Sequence, residues 1–153
     1  TFTLRISDGI VKGFPYNGTV APPIVTFYGL YDRYYSFSEE SPWDLPKRWQ
    51  NPPANLNLEI PFNFVSTNDI IGGNSGSPVI NEKAEIVGLA FDGNIQSLPG
   101  SFIFREEENR MVAVHSLGMT EALKNVYNAG RLTDELLNGK ADKDSSLVSS
   151  KTK

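Results

Sequence analysis

The sequence predicts a mostly β fold that ends in one or two α-helices. Three observations carry that expectation. Short apolar runs at Phe62–Val65, Ile86–Phe91, Phe102–Phe104 and Met111–His115 are separated by turn-forming residues, the spacing of an all-β barrel or sandwich. Phe2, Leu4 and Ile6 alternate with Thr3, Arg5 and Ser7, the period of two that a half-buried strand needs. From Leu117 the period lengthens, and Leu117, Ala122, Leu123, Val126 and Tyr127 fall on one stripe of a helix.

Taken in order, the first strand should continue at Ile10 and Val11 after an Asp8-Gly9 turn, as a β-hairpin. Residues 15–57 hold most of the prolines and many aromatics, among them Phe27, Tyr28, Tyr31, Tyr34, Tyr35, Trp43 and Trp49. That is too aromatic for a disordered linker and reads as a long ordered excursion. Within it, Tyr31–Phe37 fits a short helix or an extended piece. The rings of residues 27–49 either supply buried area, their usual use, or line a cleft. Phe62–Val65 then leads into a Gly/Ser-rich loop, and Val79-Ile80 leaves it. Asn81–Ala84 turns the chain, Glu85–Phe91 returns, and Asp92-Gly93-Asn94 ends that strand. After Pro99-Gly100, Phe102–Phe104 reads as another strand, and Glu106–Asn109 as an exposed turn before Met111–His115. The amphipathic helix should end near Gly130, with a second helix through Leu132, Leu136 and Leu137 starting near Thr133 or Asp134. Residues 139–153 are polar and Lys/Ser-rich, a composition expected to stay disordered. The ordered part, 1–138, thus divides into strands (1–14), the excursion (15–57), barrel strands with the Gly/Ser loop (58–115) and helices (116–138).

Composition bounds the function. The 153 residues, 39% hydrophobic and 21% charged, suffice for one globular core. A net charge of −4 argues against a nucleic-acid surface. The absence of cysteine excludes disulfides and cysteine metal sites. No apolar run approaches the length of a membrane span, so membrane insertion is not expected, and nothing calls for a metal or cofactor. The chain begins Thr1-Phe2-Thr3 without methionine and is expected to be a fragment or a processed product.

The chemistry concentrates in Gly72-Gly73-Asn74-Ser75-Gly76-Ser77-Pro78-Val79. A serine between glycines, in a loop between strands, is a nucleophile where backbone amides can converge on an oxyanion. Gly73 can turn its amide inward because it has no Cβ, and the Ser75 amide is the natural second donor. The octet resembles the serine loop of chymotrypsin-like peptidases rather than the G-x-S-x-G elbow of the α/β-hydrolases. The plainer reading is a Gly/Ser-rich connection. A nucleophilic serine needs a base and a group to orient it. The one histidine, His115, follows the serine, whereas chymotrypsin-like enzymes bring their histidine and aspartate from before it. His115 is therefore expected to be structural, and the base to lie outside this chain. In such a barrel the strand after the nucleophile walls the cleft and pairs with substrate. Asp92 at its end would face an ammonium group, and Gly93 would leave space for a P1 side chain. The alternative is an Asp-Gly turn. Asp69, six residues before Ser75, sits where trypsin-like enzymes select Lys or Arg, or is a loop aspartate bonded to backbone amides.

Thr67-Asn68-Asp69-Ile70-Ile71-Gly72-Gly73-Asn74-Ser75-Gly76-Ser77-Pro78-Val79, followed by Gly88-Leu89-Ala90-Phe91-Asp92-Gly93-Asn94, resembles the bacterial dipeptidyl-peptidase 7/11 family, serine peptidase family 46 of the chymotrypsin clan. The likeness extends to Phe2-Thr3-Leu4-Arg5, to Asp44-Leu45-Pro46-Lys47-Arg48-Trp49, and through His115 to Asp134-Glu135-Leu136-Leu137. It implies the second barrel of a chymotrypsin-like double β-barrel, with a helical domain inserted over the cleft. It implies release of dipeptides from free peptide N-termini, with Ser75 as nucleophile and the Gly73 and Ser75 amides as oxyanion hole. Asp92 matches the aspartate that holds the substrate ammonium. Gly93 matches the position where arginine marks acidic P1 residues and glycine apolar ones. The family keeps an aspartate at the Asp69 position in both branches, which argues against a trypsin-like role. Asn74 replaces the aspartate that trypsin-like zymogens use to bind a new N-terminus, so that activation is not expected. The family's catalytic histidine and aspartate lie upstream, which implies that this chain alone is inactive. A homodimer and a periplasmic or exported location follow from the resemblance alone. A clan endopeptidase of the glutamyl or HtrA type, and a non-catalytic binding remnant, are the alternatives.

Overall fold

The computed structural model describes residues 4–37 and 42–139. Phe14–Tyr16 (β1) and Thr19–Ala21 (β2) pair as an antiparallel hairpin. Its turn is Asn17-Gly18, with φ of 47° and 76°, the left-handed pair that a tight two-residue connection requires. A five-stranded antiparallel sheet contains Ile24–Thr26 (β3), Pro61–Ser66 (β4), Pro78–Ile80 (β5), Ile86–Gly93 (β6) and Met111–His115 (β7) in the order β3-β4-β7-β6-β5. Among the described residues the sheet is open, with β3 and β5 at its edges. Among the described residues four helices accompany it: Phe27–Phe37 (α1), Lys47–Gln50 (α2), Ser116–Asn125 (α3) and Gly130–Asn138 (α4). A 3₁₀ helix, Ile95–Ser101, follows β6.

Two apolar clusters hold these elements. The first gathers Phe27, Tyr31, Leu56, Ala122 and Val126, with Trp49 and Phe62 against them. Phe27 is fully buried, its ring centroid 5.0 Å from Phe62 and 6.1 Å from Trp49. Trp49 Nε1 donates to the Tyr127 hydroxyl at 3.2 Å. Phe27, Tyr31, Tyr34 and Trp49 of the aromatic excursion therefore supply core, Tyr28, Tyr35, Phe37 and Trp43 stay exposed, and its Tyr31–Phe37 stretch is helical. The second cluster, Phe64, Ala90, Met111 and Ala113 with Val79 and Val87, lies on β4–β7 and includes Ile70 from the connection that leads into the Gly/Ser loop.

Three sequence expectations fail for physical reasons. Residues 4–11 form no hairpin, and Phe2 and Thr3 lie outside the described residues. This segment bonds forward instead: Ile10 N donates to Thr67 Oγ1, Thr67 N to Ile10 O, and Asn68 Nδ2 to Ser7 O. Gly9 is not a turn but a close approach, since a Cβ there would meet Asn68 N at 2.5 Å. Phe102–Phe104 is not a strand, because Phe102 N and Ile103 N both donate to Pro99 O and curl the chain. Gly130 starts α4 rather than ending α3. Val126 N and Tyr127 N close the last turn on Ala122 O, and Asn128 takes φ 53° in the connection. Gly139, at φ 64°, ends α4; the rest of the expected tail lies outside the described residues.

Candidate active site

The Gly/Ser loop is the connection from β4 to β5, and β6 pins it. β5 pairs with β6 through Pro78↔Leu89 and Val79↔Gly88. The ladder runs on past β5: Ala90 N donates to Ser77 O at 3.0 Å and Gly76 N to Ala90 O at 2.7 Å. Inside the loop, Asn74 N donates to Ile71 O and Ile71 N to Asn74 Oδ1, a reciprocal pair at 3.1 and 3.0 Å. Gly73 and Gly76 adopt φ of 104° and 86°, a region that costs a residue with Cβ of order 1–3 kcal/mol. The result is an exposed Ser75 on a loop braced on both sides. Among the described residues the Gly73 and Ser75 amides donate to no acceptor, which leaves both for a ligand oxygen.

The Ser75 hydroxyl donates to Phe91 O at 3.2 Å. That carbonyl is presented by an irregularity in β6. Ala90 pairs with Ala113 and Asp92 with Val112, so Phe91 has no partner across the ladder. Such a bulge re-aims a strand locally, and here it carries the chain into Asp92 and Gly93. Asp92 is exposed, and its Oδ1 accepts from the Gly93 amide at 2.8 Å. Among the described residues no Lys or Arg forms an ion pair with it. The structure thus brings Ser75, Gly73, Asp92 and Gly93 to the meeting of one loop and one strand end.

It does not bring His115 there. His115 caps α3, its Nδ1 accepting from Leu117 N at 3.2 Å, and its ring meets Phe64 edge-on at 5.6 Å. Burial pushes its pKa down from the usual 6.5. Its proton-accepting nitrogen is committed to the cap, and Ser75 has no imidazole partner among the described residues. Asp69 is exposed and borders a small cavity of ≈ 10 Å³, roughly one water, shared with Ser97, Asn109 and Arg110. It makes no ion pair among the described residues. No cluster of three or more His, Asp or Glu with metal-binding potential is found among them.

Two supports of the site were missed in the sequence. Asn94 clamps the end of β6 to the next strand. Its amide donates to Arg110 O at 2.9 Å, its Nδ2 donates to Glu108 O at 2.7 Å, and its Oδ1 accepts from Arg110 N at 2.9 Å. Arg110 itself is 1% exposed. Its guanidinium donates to the carbonyls of Lys12, Gly13, Glu106, Glu107 and Asn109. Desolvation lowers its pKa, with Glu106 and Glu107 pulling the other way. An Asn after Asp-Gly reads as a turn, and an Arg before a strand reads as surface charge, so neither gave a usable signal.

The Peptidase S46 family model matches residues 1–138. This chain belongs to the peptidase S46 family. Among its relatives, dipeptidyl-peptidase 7 of Capnocytophaga gingivalis is 32% identical over 146 residues, 88% of this chain and 20% of the relative. The Asp/Glu-specific dipeptidyl-peptidase of Shewanella putrefaciens is 30% identical over 166 residues, 88% of this chain and 22% of the relative. Among solved structures, Porphyromonas endodontalis DPP11 in complex with the dipeptide Arg-Glu superposes with a TM-score of 0.74. It is 24% identical, and the match covers 88% of this chain and 20% of that one. The S46 chain described here therefore spans about a fifth of the length of the curated relatives it matches.

Proposed function

We propose that this chain carries the nucleophile, the oxyanion hole and the substrate-amine anchor of a serine dipeptidyl-peptidase. The observation that supports it most is the docking of the exposed Ser75 loop on β6, with two amides that have no acceptor among the described residues and, just beyond Phe91, an Asp92 carboxylate with no Lys or Arg partner among them. In this reading Ser75 Oγ attacks the scissile carbonyl carbon, and the Gly73 and Ser75 amides receive the oxygen that gains negative charge. The hydroxyl proton passes to a histidine oriented by an aspartate, both supplied by the upstream part of a longer polypeptide, which then protonates the leaving amine. Without them this chain is inactive. Asp92 Oδ2 binds the substrate's free ammonium, and that anchor sets the dipeptide length. Gly93 contributes to an apolar-preferring P1 subsite. The sheet is part of the nucleophile-bearing barrel of a chymotrypsin-like pair, and the whole protein is an exported or periplasmic homodimer acting on peptides, with no cofactor.

The test uses the full-length polypeptide and dipeptidyl-coumarin substrates. Ser75→Ala should lower turnover on the order of a thousandfold or more and abolish labelling by a serine-directed phosphonate. Acetylating the substrate amine removes the charge that Asp92 would bind, which should cost roughly 10- to 150-fold, the worth of one charge-assisted hydrogen bond. Asp92→Asn should erase that discrimination. Equal turnover of free and acetylated substrates would instead favour an endopeptidase, and a wild-type chain that takes no phosphonate would favour a binding remnant.

A further inference from the structure

We propose that Ser97 is a second specificity-setting residue of the P1 subsite, because its hydroxyl occupies the space that any side chain at position 93 must enter. The inference rests on the reading of Gly93 as part of that subsite. A Cβ built on Gly93 would overlap Ser97 Oγ, well inside van der Waals contact, while Ser97 Cβ would lie at an acceptable 3.4 Å. The overlap is thus with the hydroxyl alone. That hydroxyl is held in place by donating to Asn94 O at 2.6 Å, and the Ser97 amide donates to the same carbonyl at 2.9 Å. Asn94 is in turn clamped to Arg110 and Glu108, so the acceptor does not yield. Ser97 also borders the small cavity lined by Asp69 and Ile70, the residues leading into the Ser75 loop. Glycine at 93 and a bonded serine at 97 therefore form one unit. A side chain enters at 93 only when the Ser97 hydroxyl leaves Asn94 O, and the P1 preference is a property of the pair.

A double-mutant cycle on the full-length polypeptide tests this, with kcat and KM measured on free-amine dipeptidyl substrates bearing Leu or Glu at P1, and thermal melting of the same variants. Gly93→Ala alone should lower kcat/KM for the Leu substrate by about tenfold, the scale of one displaced hydrogen bond. Ser97→Ala alone should cost about threefold or less. The double variant should recover to within about threefold of Ser97→Ala, because removing the hydroxyl removes the overlap. Ser97→Thr keeps the hydroxyl and should give no rescue. Gly93→Arg should gain Glu-over-Leu selectivity by about tenfold more when Ser97 is also alanine. Melting temperatures should show the same non-additivity for Gly93→Ala. Additive effects in both kinetics and melting, in a polypeptide whose wild type turns over substrate, would overturn the Ser97 proposal alone. A wild type that turns over neither substrate would overturn the peptidase reading, with the melting cycle still deciding whether the two side chains compete.

Discussion

Arg110→Met is the most informative single perturbation of the scaffold. Methionine is close in length and apolar, so the change removes the donors while leaving most of the volume. Five carbonyls lose their partner. Those of Lys12, Glu106 and Glu107 belong to exposed residues and can turn to water. Those of Gly13, half-buried, and Asn109, 3% exposed, are stranded. At about 1–3 kcal/mol for each unsatisfied buried group, the loss is about 2–6 kcal/mol. Relief from holding a desolvated guanidinium with no carboxylate bonded to it among the described residues offsets part of this. The expected net is therefore near the lower half of that range, about 2–4 kcal/mol. Because the bonds lost are confined to the end of β6 and the segment before β7, a probe of local opening is more direct than a melting curve. Amide hydrogen exchange followed by mass spectrometry, on peptides covering 92–97 and 105–113, should accelerate by about 30- to 1000-fold if these bonds open through local unfolding. The Asn94 and Arg110 amides should lead, since they bond to each other's residue. Wild-type exchange at both segments would refute the argument that the buried guanidinium holds the end of β6.

Further outcomes follow from the same structure. His115 caps α3 only as the neutral tautomer with Nδ1 free to accept, and its folded pKa lies below the usual 6.5. The unfolded chain therefore binds that proton more tightly. The stabilisation is complete above the unfolded value and is lost as the pH falls through the lowered folded one. Melting temperature should thus fall more between about pH 7.5 and about pH 5 in wild type than in His115→Asn, which caps without titrating; parallel pH curves would contradict this. Phe27→Ala should destabilise the protein by about 3–5 kcal/mol, the usual cost of emptying a buried phenylalanine site, and Phe27→Leu by about 1.5 kcal/mol or less. Urea denaturation reporting Trp49 fluorescence would measure both, since that indole stacks on Phe27 at 6.1 Å.

The parts of this fold that were legible beforehand are those whose cause is local. β4, β6, β7 and α3 follow from period and turn residues within a few positions of each other. The serine loop follows from Gly73 and Gly76, three positions apart, whose positive φ costs a residue with a Cβ. The Asn17-Gly18 hairpin was equally local and was obscured by the prolines around it. The likeness of the Ser75 and Asp92 stretches to a peptidase family is also contained in neighbouring residues, and residues 1–138 match that family.

Folding alone settled what rests on contacts that no local pattern announces, whether the partner is distant in the chain or a few positions away. Residues 4–11 alternate like a strand, yet their backbone finds Thr67 and Asn68 some 57 to 61 positions away. Phe102 and Ile103 are apolar, yet two bonds to Pro99 O turn them outward. The Arg110 guanidinium reaches carbonyls 97 and 98 positions away, and the Ser97 hydroxyl fills the space above Gly93. None of these follows from a period or a motif. Each is decided by which groups the assembled chain brings together, and for Arg110 also by burial, which leaves its guanidinium protein carbonyls in place of water.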